Sequence, residues 1–312
     1  MNKSFISFLK FFLLLIISIL FCNKTYCQNY DYTWWVEKHN WDGISGWSKY
    51  MNTTPAYMGP NALPVPQIKN GLINNKLEFE LSLENHFSKG DNTSDMFAKL
   101  SVPLAKIVTV ETYLVPIEYY KMDTLTRDER AARDYNCEGI AGGDFYFGTI
   151  IQIVKDHEKF PNIALGINFK TASGTTHRNA RYTDAPGYFF DLSFGKVYKK
   201  NKTDINLYGM IGFYSWQIYR EDHSQNDAFL FGAGIDLSYK NIIFSNSCGG
   251  YAGYIGNGDK PLVYRCIIGT ENKTFNYKLK YQLGLNDFNY QTLAFSVIFN
   301  VSLKNKFGKK SS

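Results

Sequence analysis

The chain has 312 residues, a formal net charge of +6 and five cysteines. Aromatic residues make up 17% of it, yet its mean hydropathy is only -0.27. That pairing excludes a bundle of membrane helices and fits strands whose apolar residues meet lipid on one face only.

Lys3 and Lys10 open the chain, Phe11 to Cys22 is apolar apart from Ser18, and polar residues follow. Residues 1–27 therefore read as a secretory signal, with Thr25 and Cys27 at the small-residue positions and Gln28 as the first mature residue. The apolar stretch is too short to span comfortably as a helix. Phe21 and Tyr26 are too bulky for lipoprotein processing at Cys22 or Cys27. Removing the signal loses Lys3, Lys10 and Lys24 and no acids, so the charge falls from +6 to +3. A near-balanced chain gives no case for nucleic acid as a partner. Cys137, Cys248 and Cys266 remain and form no CxxC motif. Cys248 and Cys266 fall on neighbouring strands, which leaves a disulfide open without indicating one.

Residues 28–76 form a Trp- and Pro-rich segment. It holds Trp34, Trp35, Trp41 and Trp47 with Pro55, Pro60, Pro64 and Pro66. Alternation is absent, and the prolines favour an irregular, extended path. The segment is expected either to plug the lumen of a barrel, with those four tryptophans as the plugging side chains, or to serve as a periplasmic arm.

From Leu77 the period becomes two. Leu77, Phe79, Leu81 and Leu83 alternate with Glu78, Glu80, Ser82 and Glu84, and the pattern recurs at 96–102, 163–170, 188–195, 229–238, 275–284 and 293–302. Less regular segments at 107–119, 144–155, 204–217, 242–254 and 261–270 bring the number to twelve. Their lengths suit tilted strands crossing a bilayer. Short connections near 103–106, 156–160, 199–203, 240–241 and 271–273 alternate with longer ones at 88–95, 120–143, 172–186, 218–226, 255–260 and 286–290. Sorting by length is the habit of outer-membrane barrels, with short turns inside and long loops outside. The expected fold is all-β: a transmembrane antiparallel β-barrel of about 12 strands over 77–303, then a basic tail at 304–312, in the outer membrane of a Gram-negative bacterium.

The stretches ENHFSKGDNTSDMF (84–97), MDTLTRDERAARDYNCEGIAGGDFYFGT (122–149), KTASGTTHRNARYTDAPGYFFDLSFGK (170–196) and GGYAGYIGNGDKPLVYR (249–265) carry a resemblance. Together with the signal ending before Gln28, they resemble an uncharacterised family of outer-membrane β-barrel proteins of the Bacteroidetes. The resemblance implies a barrel, with outer-membrane lipid and the barrel assembly machinery as partners, and assigns no activity. One departure is the C-terminus, where Lys304 to Ser312 follow Phe299, the aromatic residue placed to close the last strand.

No nucleotide-binding motif is present, and no two histidines stand at ligand spacing, so neither cofactor nor metal is expected. Asp91 to Asp95 could meet a cation in the first outer loop, but a solvated loop is the plainer reading. Alternation sends Lys99, Glu111, Lys170, Asp191, Asp236, Arg265, Lys278 and Lys280 inward, where they line water or pair with one another. Gly148, Ala164, Gly166, Gly195, Gly232, Gly234 and Gly284 leave room beside them. Glu84, Asn85, Asp91, Asn92 and Thr93 are similar in place to the acidic stretch of lipid A deacylases, but His86 stands where those have Asp and their Tyr-Thr-Gly turn is missing. Ser173 with His177 is a weak hydrolase pair. Loop 120–143 could form a short helix from Thr126 and offer a partner site. The function expected is a channel or transporter-like barrel for an unidentified small solute. The alternatives are a deacylase-like hydrolase and a surface-exposed structural or interaction barrel.

Overall fold

The computed structural model describes residues 31–218, 220 and 223–301. The expected signal at 1–27 and basic tail at 304–312 lie outside the described residues. The strands are β1 (Leu77–Ser88), β2 (Asp91–Ala105), β3 (Val108–Met122), β4 (Glu138–Ala141), β5 (Tyr146–Val154), β6 (Asn162–Lys170), β7 (Gly187–Lys200), β8 (Thr203–Gln217), β9 (Gln225–Tyr239), β10 (Ile242–Gly253), β11 (Leu262–Thr270), β12 (Phe275–Asn286) and β13 (Gln291–Val301). Twelve of them form the wall, every contact antiparallel. The short β4 pairs only with Glu118–Lys121 of β3, above the place where β5 takes over that edge. β1 closes the ring by pairing with β2 on one side and with β13 on the other, from Leu77↔Val301 to Phe87↔Gln291. Closure removes free sheet edges, so every wall strand has backbone partners on both sides.

The two faces are inverted relative to a soluble barrel. Leu83, Phe229, Leu279 and Phe295 lie outward and are about half exposed, whereas Glu80, Ser82, Glu84 and His86 point inward and are buried. Apolar residues out and charges in is stable only when the outside is lipid. This is a transmembrane β-barrel of the outer-membrane kind.

One end of the barrel, the turn end, has tight connections: 106–107, 201–202 and 240–241 are two-residue turns, and 155–161 and 271–274 are longer. Asn201 and Lys240 adopt positive φ there, as such turns require. The other end, the loop end, carries 123–145, 171–186, 254–261 and 287–290, with 218 and 223–224 at the ends of β8 and β9. It departs from expectation at 88–95. The link is only Lys89–Gly90, with Gly90 at φ +86, and β2 already runs from Asp91. Asp91, Thr93 and Asp95 point inward and Asn92 and Ser94 outward, so both faces are polar and hydropathy gives no sign of a strand. Loop 123–145 holds α2 (Thr124–Glu129), capped by Asp123, whose carboxylate accepts from Thr126 N at 2.7 Å. The helix thus starts two residues before the expected Thr126.

The N-terminal segment has two parts. Residues 31–58 lie at the loop end and include α1 (Thr33–His39) and a 3-10 turn at Trp47–Tyr50. Trp35, Met51, Met58 and Ala62 pack there on Tyr120, Met122, Ala131, Ala132, Cys137 and Ala180. Residues 59–75 run down the barrel interior. Leu63 and Val65 enter a second apolar cluster with inward side chains of the loop half, among them Tyr214, Trp216, Tyr251 and Val263.

Candidate functional site: the lumen and its occupant

Each of the eight charged residues expected to line the lumen has a polar or ionic partner. Lys99 meets Glu111 at 2.7 Å, Lys280 meets Glu84 at 2.8 Å and Lys278 approaches Glu80 at 3.5 Å. Lys170 and Asp144 form a fully buried pair at 2.7 Å. Asp236 accepts from Ser245 at 2.6 Å and Asn206 at 3.2 Å. The other two hold the N-terminal segment. Asp191 binds Lys69 Nζ at 2.6 Å, and Arg265 donates to the carbonyls of Val65 and Pro66 at 2.5 and 2.9 Å while its Nε bonds Gln282. A carbonyl pair satisfies the planar fork without adding a counter-charge.

Further down, the Gln152 side chain donates to Gly71 O at 2.7 Å and accepts from Ile73 N at 3.1 Å. Thr109 donates to Asn74 O at 2.8 Å, beside the first residue of β3. Gly71 has φ +78, and a Cβ there would lie 2.4 Å from Asn162 O, so the segment threads against the wall backbone where only glycine fits. Gly232 and Gly249 do the same for Ile68, whose Cδ1 takes the space their side chains would fill. A cavity of about 600 Å³ remains beside the segment, lined by Glu78, Glu80, Glu84, Lys99, Glu111, Lys278 and Lys280 among others.

A second buried network closes the loop half. Asp91 accepts from Arg130 at 2.6 Å, Arg181 at 2.6 Å and Tyr290 at 2.5 Å. Arg181 is fully buried and also binds Glu118 at 2.8 Å and Thr93 at 2.7 Å, beneath the Tyr120 ring. Asn61 donates to both Asp95 and Glu118, at 2.7 and 2.9 Å. Gly59 lies on the Arg181 guanidinium, 2.8 Å from where its Cβ would be. Asp91 is thus an anchor for two arginines rather than part of a solvated loop. Sequence reading missed Asp91, Asp95, Glu118, Arg130 and Arg181 as interior residues. The parity of β2 could have revealed Asp91 and Asp95, but in β3 the inward face passes from odd residues up to Val115 to even ones from Glu118, so Glu118 is out of phase with Glu111. The arginines sit in loops, where no periodicity points inward.

The four tryptophans are in the loop-end cap and not in the lumen. Trp35 is buried and donates to Ala131 O at 2.9 Å, Trp34 lies 4.1 Å from the Arg127 guanidinium, and Trp41 donates to Ser45 O at 2.8 Å. Trp47 packs against His177 with ring centroids 5.3 Å apart and planes tilted by 43°, and Arg133 sits 3.6 Å over the Tyr32 ring. A helix with its side chains is about 10–12 Å across, too wide for a lumen already crossed by side chains, whereas extended chain with prolines is thin enough. Burial pushes His177 down to about 4. Desolvation raises the Asp144 carboxyl, against the pull of Lys170. The cap hydrogen bonds from Thr126 lower Asp123.

The deacylase-like stretch does not converge on one point. Glu84, Asp91 and Thr93 face inward, while Asn85 and Asn92 face outward, Asn85 bonded to Ser94 at 2.8 Å. Ser173 Oγ shares a hydrogen bond with Thr171 Oγ1 at 2.8 Å and accepts from Phe145 N at 2.9 Å, while His177 lies against Trp47. Among the described residues, Glu84, His86 and Asp95 bring ligand atoms within 4.8 Å of one another. Two carboxylates and an imidazole are a donor set that suits zinc. Here Glu84 is engaged with Lys280, His86 with Thr292 and Asp95 with His86 and Asn61. Cys137, Cys248 and Cys266 are all free thiols.

A closed twelve-strand wall with an apolar exterior and a charged, partly filled interior defines the class as outer-membrane β-barrels, the location expected from the sequence. No family model matches the chain, and no curated protein matches it. Among solved structures it is similar to an outer membrane channel from Pseudomonas putida F1, at 11% identity and TM-score 0.49, covering 78% of this chain and 98% of that one. It is also similar to the transport unit of the autotransporter AIDA-I from Escherichia coli, at 6% identity and TM-score 0.47, covering 81% and 100%. LpxR from Salmonella typhimurium gives 6% identity and TM-score 0.45, covering 70% and 99%. At these identities the likeness is one of overall form, and the fold assignment rests on the closed ladder and its inverted faces.

Proposed function

We propose that the protein is a small-solute channel of the outer membrane, with its loop end facing outward and residues 59–75 acting as a plug that limits conduction. The observation that carries this reading is the cavity of about 600 Å³ beside the plug, lined by charges of both signs. Lys99, Lys278 and Lys280 stand opposite Glu80, Glu84 and Glu111, so the passage favours no single sign of solute strongly. Polar cavities of this kind hold water, and a wall salt-bridged to itself can exchange those bonds with a passing polar solute. The resemblance to the Bacteroidetes family fits this reading and names no solute. The experiment is planar-bilayer conductance of the purified barrel, with the plug intact and with its clamps removed. Small or flickering conductance that rises when Lys69 or Arg265 loses its grip supports the channel. A barrel silent in every variant refutes it.

A further inference from the structure

We propose that residues 31–58 stand on the outer surface of the cell and that they reached it through the barrel's own lumen. This rests on the outward orientation of the loop end in the channel reading. The partners of the N-terminal segment, taken in sequence order, descend the barrel from loop end to turn end. Ala56 N bonds Gly258 O, Gly59 N bonds Ala180 O, and Asn61 bonds Asp95 and Glu118. Leu63 O accepts from Tyr251, Val65 O from Arg265, and Lys69 meets Asp191. Gly71 and Ile73 meet Gln152, and Asn74 meets Thr109 next to the start of β3. At about 3.3 Å per residue, extended chain from Gly59 to Asn75 reaches on the order of 50 Å, enough to cross the wall. Then β1 begins at the turn end, with Leu77 opposite Val301.

Partners from β2, β3, β5, β7, β10 and β11 surround this path, within a wall closed by the β1–β13 ladder. Through a closed wall, the chain before Gly59 has no route to the loop end except the lumen. It must also have passed as extended chain. Once α1 has formed and Trp35 is buried against Ala131, the cap is wider than the passage and blocks return. Folding of the cap outside is what makes the crossing one-way.

Ile44 is 92% exposed at the cap's tip, and no atom lies within 4 Å of a Cβ built on Gly43. Both are addressable. The test places Ile44→Cys in a chain with serine at Cys137, Cys248 and Cys266, and treats intact cells with a membrane-impermeant maleimide. Leu125→Cys, 63% exposed on α2, reports the loop end independently. Comparable labelling of both in intact cells is the expected result. If Leu125→Cys labels and Ile44→Cys labels only after the outer membrane is permeabilised, the proposal is overturned while the channel reading stands. If neither labels until permeabilisation, the orientation itself is wrong and both fall. Should the serine background lose heat-modifiable migration on gels, an epitope inserted at Gly43 of the otherwise unaltered chain, probed by antibody on intact cells, gives the same outcomes.

Discussion

Lys69→Met tests the plug at its one ionic clamp. Lys69 Nζ sits 2.6 Å from an Asp191 carboxylate whose side chain is fully buried, and Lys69 itself is 18% exposed. Methionine keeps most of the stem's volume and removes the charge, leaving Asp191 in the wall with one long hydrogen bond, from Asn168 at 3.3 Å. Removing one member of a buried pair costs about 3–5 kcal/mol. Partial exposure of Lys69 places this case near the low end, about 3 kcal/mol. At about 1.4 kcal/mol per tenfold change, the seated plug loses roughly two orders of magnitude against its displaced state. Arg265 and Gln152 still hold the chain, so the expected signal is longer and more frequent openings in single-channel records rather than a permanently open pore. Lys69→Met/Asp191→Leu should recover much of the closed time, because no uncompensated charge remains. If Lys69→Met assembles normally and its records match the unaltered protein, residues 59–75 do not limit conduction.

The lipid face predicts a sharp contrast along β12. Leu279→Arg puts a cation on an outward position that is 55% exposed and should cost about 2–4 kcal/mol near the bilayer midplane, seen as lost heat-modifiable migration, whereas the inward Lys278→Arg should assemble normally. Gly59→Ala drives a Cβ to 2.8 Å from the Arg181 guanidinium and should loosen the cap by about 1–3 kcal/mol, read as greater quenching of tryptophan fluorescence. His177 makes the cap acid-sensitive. Its folded value is near 4 against an ordinary 6.5, so below 6.5 the unfolded cap takes the proton first. Stability is flat above pH 6.5 and falls towards pH 4 by at most about 3 kcal/mol, at about 1.4 kcal/mol per unit. Fluorescence of Trp47 against pH should follow that window and flatten in His177→Phe; an unchanged profile in the variant would assign the transition elsewhere.

The wall was legible because lipid and lumen impose opposite solvents on alternate residues, and β1, β6, β7, β9, β12 and β13 carry that imprint along most of their length, with inward apolar exceptions such as Phe189, Leu230 and Ile298. Where both faces are polar the imprint vanishes, as at Asp91 to Asp95, and a strand reads as a loop. Parity assigns Lys99, Glu111 and Lys280 to the inward face but names no partners, since Glu84 and Lys280 are 196 residues apart in sequence. The plug had no periodic signal at all. Many of its contacts run from scattered strands to backbone carbonyls, which are the same at every residue, while Asn61 and Lys69 reach the wall's carboxylates with their own side chains. The tryptophans attracted attention as space-fillers, yet the side chains in the lumen are Leu63, Val65, Ile68 and Lys69, which a thin extended chain can carry past the wall.

The reversal at residues 74–77, where descending chain turns into ascending β1, fixes how the molecule bears a mechanical load. A pull on residue 31 from the loop end is carried in series, first by the cap, then by the Arg265 fork, then by the Lys69–Asp191 bond and the Gln152 clamp. Only after these yield does tension reach Leu77, and there the geometry is that of tape stripped back on itself. The rungs to Val301 and its successors would then break one at a time from the turn end. The tensile strength of the tether is accordingly set by a few side chains inside the barrel, and the seam that closes the wall is shielded from force until they fail.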